Sequence, residues 1–314
     1  MITCHEVPLP SDDEIVELCT ITAPFAGSPN GNQLVKISDD IAVKFGLGVR
    51  KQEAANQSYA RSHVDSTVLY IPQVFHFFRA NLSGFDMGFI VMEYVLGVSL
   101  NTIRVVDHPH LAKRTMEAIR HLAMVPIPSD QGPGPVGGGS AYGYLWSEDG
   151  TGQGLASVED MEEWMNRRLD VVKQPRISLA SHQQLSMRHM DLVRRNIILL
   201  SNSSVCFVDW AFAGFFPDIF EFHTFQDLLY TDSTWFEQLL HLSPKPDDND
   251  KQILPYLGIP AVVNNKYSYV SMEHTRCYGL QSTKGSTTLI RATRHVSAPT
   301  LNKMFLASLP ARWG

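Results

Sequence analysis

Late in the chain, four polar residues stand around two short apolar runs. His189, Asp191 and Asn196 lie in "RHMDLVRRNIILL", and Asp209 closes the next run, "SVCFVDW". Two strands joined through Ser201 to Ser204 would bring Asp191, Asn196 and Asp209 to one rim of a hairpin. Such a set suits phosphoryl transfer. One carboxylate takes the proton of an attacking hydroxyl, while an amide oxygen and a second carboxylate hold magnesium against phosphates. The bland reading of the same groups is turn and cap chemistry.

The first half of the chain supplies what that chemistry lacks. Lys44 sits in the middle of "IAVKFG" and by alternation shares a face with Ala42 and Gly46, both small enough to leave room beside it. Glu53, the only carboxylate between Lys44 and Asp65, begins the next helical segment. A lysine there would neutralise phosphates, and a glutamate would keep that lysine in place. Taken singly, Lys44 reads as a solvent-facing strand residue and Glu53 as a first-turn acid favoured by the helix dipole.

The elements that must position these groups follow from patterning. Ser11 ahead of Asp12, Asp13 and Glu14 predicts a helix N-terminus. "QLVKIS" and "IAVKFG" form a hairpin at Asp39-Asp40, "KQEAANQSYARSHV" has helical composition, and "YIPQVFHFFRA" and "GFIVMEYV" read as further strands. After Leu100 the pattern turns helical: "HLAKRTMEAIRHLAMV" spaces Leu111, Met116, Ile119 and Leu122 near a helical period, and "VEDMEEWMNRRLDVV" has acids early and arginines late. Between them, "PIPSDQGPGPVGGGSAYGYL" reads as a long surface loop.

Composition narrows the function classes. The chain has 314 residues, 44% hydrophobic and 18% charged, enough for a large core and two lobes. A net charge of -6 argues against a nucleic-acid partner. Four scattered cysteines without a metal or redox spacing fit a reducing compartment. The N-terminus carries acids where a secretory signal needs bases, and no stretch approaches the ~20 apolar residues of a membrane span. A cytoplasmic location with no membrane partner is therefore expected. Residues 208–250 hold nine acidic residues against Lys245 alone, most simply a solvated face, but also a possible attraction for a cationic substrate. Within that block Asp218 and Glu221, among Phe215, Phe216, Phe220 and Phe222, would lie close to the cleft. They are candidates for binding an amine-bearing acceptor; otherwise Asp218 caps a helix.

In sum of motifs, "HMDLVRRN" resembles the H-x-D-L-x-x-x-N catalytic loop of kinase-fold enzymes, and "VDW" the metal-binding aspartate after it. D-W in place of D-F-G, with no A-P-E-like segment, points away from protein kinases. The chain resembles the aminoglycoside phosphotransferase and choline kinase branch. "VDWAFAGFFPDIFEF", "IAVKFG" and "FIVMEYVLGVSL" are most like its fungal members. The resemblance spans about residues 25 to 230. It implies an α+β, bilobal protein-kinase-like fold: a small antiparallel sheet lobe over residues 1–93 and a mainly helical lobe over 94–314. It implies ATP and magnesium as cofactors and a small-molecule hydroxyl as acceptor. Asp191 would be the base, Asn196 and Asp209 the magnesium ligands, and Lys44 the α/β-phosphate contact with Glu53 as its partner. Met92, Glu93, Tyr94 and Val95 would form the adenine hinge, and His189 would brace the loop. Gly27 and Asn30 lie in "AGSPNGNQ", which would cover the nucleotide without the full G-x-G-x-x-G. The alternative is a nucleotide-binding pseudokinase or a kinase-fold protein of different activity in secondary metabolism. Departures are Ala211, where relatives often carry an acid, and Met190, where a small residue is common. The tail from about Lys251 has eight Lys or Arg against Glu273 alone and lacks helical periodicity.

Overall fold

The structure is a computed structural model and describes residues 9–29 and 31–266. Helix α1 (Asp12–Ile21) opens with a capping box between Ser11 and Glu14, as its acidic start requires. The first lobe then builds β1 (Ala26–Gly27), β2 (Gln33–Lys36), β3 (Ile41–Gly46), α2 (Lys51–His63), β4 (Leu69–Tyr70), β5 (Val74–Leu82) and β6 (Phe85–Glu93). Five of these strands form one antiparallel sheet in the order β1-β2-β3-β6-β5, which makes the Lys44 strand central. Alternation divides its faces. Val43, Phe45, Phe89 and Val91 pack with Ile15 and Cys19 of α1, whereas Ala42, Ile90 and Met92 pack with Val49 and with Ala54 of α2. Lys44 lies on the second face, the one that looks toward the rest of the molecule.

The second lobe carries β7 (Val98–Ser99), α3 (His110–Leu122), α4 (Val158–Val171), β8 (Ser186–Arg188), β9 (Ile197–Leu199), β10 (Val205–Phe207), β11 (Gly214–Phe216), α5 (Asp218–Asp227), α6 (Ser233–Leu242) and α7 (Asp248–Ile253). It is mainly helical, with two small sheets, β4-β10-β9-β7 and β11-β8, joined by the loops that carry Asp191 and Asp209. Strand β4 precedes the hinge in sequence yet pairs in parallel with β10, so the second lobe's sheet borrows an edge from the first lobe's chain. Helix α3 packs on β10 and α6 packs on α3, with Leu111, Met116, Leu122, Trp235 and Leu239 all buried in one core. No helix among the described residues is long and apolar enough to cross a membrane.

Two expectations need correction. The proline- and glycine-rich stretch is a surface loop only at its start, where Pro126, Ile127, Ser129 and Asp130 are exposed; from Pro133 it turns inward. Pro133, Gly134, Pro135, Ala141, Gly143, Leu145 and Trp146 are buried. The glycines let this backbone approach its neighbours closely: Gly134 exchanges hydrogen bonds with Phe215 of β11 at 3.0 and 2.8 Å. The Trp146 ring packs on Trp164 and Phe216. The segment after Lys251 is also helical, through α7, a 3-10 turn at Leu254–Tyr256 and residues 259–266. These pieces are too short to show a period. Asn264 fixes the last by donating to Trp146 O, Ser147 Oγ and Gly150 O. The remainder of the tail, from residue 267, lies outside the described residues.

Candidate active site

Lys44 is buried, not solvent-facing. Its Nζ lies 2.5 Å from Glu53 Oε1 and 2.8 Å from Asp209 Oδ1, so one ammonium joins the first turn of α2 to the loop after β10. Burial alone would lower the lysine's pKa, but the two carboxylates outweigh it and hold the pKa above the usual range. Glu53 is also buried, which pushes its carboxyl up against the pull of Lys44. Asp209 differs: its side chain is 39% exposed and opens to the cleft. Burial raises its carboxyl, yet Lys44 outweighs that and holds it ionised, below the ordinary carboxylate value. Its φ of 66° is left-handed, a strained setting for a non-glycine residue that turns the carboxylate out of the line of β10.

Asp191 and Asn196 meet beside this triad. The Asn196 amide nitrogen donates at 2.9 Å to both the backbone oxygen and Oδ2 of Asp191. That use of the NH₂ group leaves Asn196 Oδ1 as the atom available to a cation. Burial, then the charge of Asp209, pushes the Asp191 carboxyl from 3.8 up to about 6, with Arg195, Tyr144 and Asn196 opposing. His189 has no exposed surface and bonds Val208 O through Nε2 at 3.1 Å. Burial lowers its pKa to about 4, so it is a neutral ring that ties the loop to the end of β10. Met190 stands at φ 65°, which explains why a small residue suits that position, and its buried side chain compensates by packing in the core beside α4.

Among the described residues no three His, Cys, Asp or Glu side chains cluster as a metal site. Asn196 and Asp209 nonetheless offer one amide and one carboxylate oxygen. That is the sparse protein share magnesium takes when phosphates and water complete its octahedron.

The remaining candidates divide. The amides of Glu93 and Tyr94 are already given to Gln73 O and Asp40 O, both at 2.8 Å. Among the described residues the Val95 amide has no such partner and is a free donor. The Glu93 carboxylate accepts from Tyr70 and from Gln73 N, so its side chain is tied behind the hinge. Met92 contributes an apolar wall on the Lys44 face. Gly27 sits in the exposed β1-β2 hairpin at φ 101°, where a Cβ would lie 2.2 Å from Asn32 O. Asn30 lies outside the described residues.

Asp218 and Glu221 are not brought to the cleft as a free acidic pair. Both hold Arg188. Glu221 is 2% exposed and accepts the backbone N–H groups of His189 and Met190, each at 3.2 Å. It is a brace under the loop that carries Asp191. The wider acidic block likewise resolves into local pairs and caps: Asp232 with Arg194, Asp227 with His223, Asp247 at the start of α7.

Three residues escaped the sequence reading. Asn56, one turn beyond Glu53 and fully buried, donates to Ala213 O at 2.7 Å and accepts from Val136 N at 2.8 Å. It thereby joins α2, the segment after Asp209 and the glycine-rich loop. Its three-residue spacing from Glu53 was the available signal. Arg195, 61% exposed, points at Asp191 Oδ2 from 3.6 Å. Tyr144 donates its hydroxyl to Asp191 Oδ1 at 2.9 Å; a loop without periodicity gave no sign of it.

With this geometry in place, comparison with known proteins adds the following. The sequence model of the phosphotransferase enzyme family matches residues 39–242. No curated protein matches significantly. Among solved structures, the chain is similar to a thermostable mutant of the aminoglycoside phosphotransferase APH(4)-Ia in its apo form. The TM-score is 0.55 at 11% identity, covering 85% of this chain and 94% of that one. A ternary complex of that thermostable mutant with AMP-PNP and hygromycin B gives 0.51 at 11% identity, covering 81% and 88%. One with ADP and hygromycin B gives 0.52 at 10% identity, over the same shares. At such identity the likeness is one of fold, and the fold is the bilobal kinase-like one.

Proposed function

The chain belongs to the phosphotransferase enzyme family, and from that premise we propose that it is an ATP- and magnesium-dependent small-molecule kinase. It would move the γ-phosphoryl group to an acceptor hydroxyl, with Asp191 as the base. The observation that carries this reading is Lys44 held between Glu53 and Asp209, with the Asp191–Asn196 pair beside it. Each residue then has a task. The face of Met92 and Ala42 would hold the adenine, with the Val95 amide as its donor. Lys44 meets the α/β phosphates and Glu53 keeps it aimed. Asn196 Oδ1 and Asp209 would hold magnesium, which when bound would neutralise charge on the phosphates. Asp191 receives the acceptor's proton as the new oxygen–phosphorus bond forms, worth roughly 10²–10⁴-fold in rate. Arg195, beside Asp191, adds positive charge where the transferred group passes.

The acceptor is a hydroxylated small molecule. Two of the solved neighbours are complexes of an aminoglycoside phosphotransferase with hygromycin B, so amine-bearing acceptors of that kind are the first to screen. Glu221, buried against Arg188 and the loop backbone, is not placed to recognise them, whereas the Asp218 side chain is 74% exposed and remains a candidate.

Thermal unfolding with and without Mg-ATP tests the reading. A ligand at about 100 times its Kd stabilises by about 2.7 kcal/mol. Wild type should gain stability from ATP and magnesium together, and Asp209→Asn should lose the magnesium-dependent part with its fold intact. Equal stabilisation of the two proteins by Mg-ATP removes the metal-site assignment.

A further inference from the structure

The base assigned above is not free. Both oxygens of Asp191 are engaged: Oδ2 by Asn196 at 2.9 Å and Oδ1 by the Tyr144 hydroxyl at 2.9 Å. The second bond has the chemistry that transfer demands of an acceptor, an O–H donated to the catalytic carboxylate. A phenol of the protein's own chain stands where the acceptor's hydroxyl must stand.

The backbone holds the phenol there by several independent contacts. Tyr144 lies in a tight turn closed by Ser147 N donating to Gly143 O at 2.7 Å and Trp146 N to the same oxygen at 3.0 Å. Gly143, at φ 118°, presses so closely on the Phe212 ring that a Cβ would lie 2.7 Å from its Cγ. On the other side Leu145 and Trp146 are buried in the core beside α4. The ring of Tyr144 meets Phe212 edge-on at 5.6 Å. Ala141 and Thr151 fasten the base of the loop by a pair of 3.0 Å bonds. With the backbone so pinned, release of Asp191 requires a rotation of the Tyr144 side chain and not an opening of the loop.

We propose that Tyr144 is a specificity-determining gate on the catalytic base, reserving Asp191 for an acceptor that can displace the phenol and denying it to water. The proposal rests on the phosphotransferase reading and deepens it. The reaction suppressed is hydrolysis. A water oxygen would bond the γ-phosphorus, the bond from that phosphorus to the β-bridging oxygen would break, ADP would leave, and the water's proton would pass to Asp191. An acceptor bound in the cleft brings binding energy from the rest of its structure to displace the phenol; water has none.

The test needs no identified acceptor. Mg-ATP hydrolysis is measured for wild type, Tyr144→Phe and Tyr144→Phe/Asp191→Asn, with Mg-ATP thermal stabilisation recorded for each. Phenylalanine keeps the ring against Phe212 and removes only the hydroxyl. Losing one hydrogen bond to a charged group corresponds to about a tenfold rise in hydrolysis, abolished in the double variant. Gly143→Ala, which pushes the turn off Phe212, should raise hydrolysis in the same direction. Should Mg-ATP stabilise wild type and Tyr144→Phe alike while their hydrolysis rates are equal, or the variant is slower, the gate is overturned and the kinase reading stands. Mg-ATP that stabilises neither protein overturns the kinase reading, and the gate with it. Phosphotyrosine at position 144 after incubation with Mg-ATP would make the phenol an acceptor itself and also overturn the gate.

Discussion

Replacing Glu221 by glutamine separates a loop brace from an acceptor-binding carboxylate. In the structure Glu221 Oε1 accepts two backbone N–H groups of the catalytic loop, and Oε2 faces Arg188 Nη1 at 3.4 Å. A glutamine oxygen can still accept both N–H groups, but its NH₂ then points at a guanidinium. Breaking a buried ion pair costs about 3–5 kcal/mol. Arg188 keeps Asp218 and Ser186 as partners, so the expected loss is smaller, about 2 kcal/mol, or roughly 3 °C in Tm for a chain of this size. Mg-ATP hydrolysis should fall with it, because His189 and Met190 lead directly into Asp191. Burial pushes the Glu221 carboxyl up and Arg188 pulls it back. A carboxyl raised in the fold favours folding more as pH falls, so wild type should gain on the glutamine variant and the stability gap should widen toward low pH. The assay is thermal unfolding across pH beside steady-state hydrolysis. A variant with wild-type Tm and hydrolysis, but a raised KM for the acceptor once one is known, would refute the brace.

Two other expectations follow from the same geometry. Lys44→Met should abolish transfer and also cost about 3 kcal/mol, because Glu53 would be left buried without its cation; adding Glu53→Gln should return much of that stability, a non-additivity read by a double-mutant cycle in denaturant. Asp191 titrates near 6 among Asp209, Arg195 and Tyr144, so transfer should fall about tenfold per pH unit below that value. The sign for stability is opposite. A carboxyl raised in the fold favours folding at low pH and loses that contribution as pH rises through about 6, a change of about 3 kcal/mol at most. Asp191→Asn should therefore be inactive yet more heat-stable than wild type at pH 7.5, with the difference shrinking toward pH 4.

How much of this was legible in the sequence depends on how far each contact reaches along the chain. Asp191, Asn196 and Asp209 fall within one hairpin, β9 and β10, so local spacing was enough to place them together. Lys44 and Glu53 are nine residues apart, and a strand followed by a helix fixes their approach. Glu221 shows the opposite case. Its partners lie 31 and 32 residues away, and nothing local says that the first turn of α5 seats under β8. A cleft position and a buried brace have the same sequence signature there, carboxylates among phenylalanines. Tyr144 lies 47 residues from Asp191 in a segment whose glycines suggest an exposed loop. The same glycines are what permit its burial, and no periodicity records the difference.

The resting arrangement also bears on why magnesium and nucleotide should arrive together. Lys44 faces two carboxylates, so its charge is already balanced before any phosphate enters. A triphosphate approaching that site brings further negative charge beside Asp209 and Asp191, which the exposed Arg195 offsets in part. A divalent cation on Asp209 and Asn196 would change the balance twice: it would neutralise phosphate directly, and by drawing Asp209 away from Lys44 it would release the ammonium to the α/β oxygens. Glu53 is the partner that can stay, since it is buried on the helix side while Asp209 opens to the cleft. On this account the Lys44–Asp209 contact is the one that must break for the nucleotide to bind. ATP without magnesium should meet a site whose single buried cation is still held by its own carboxylates.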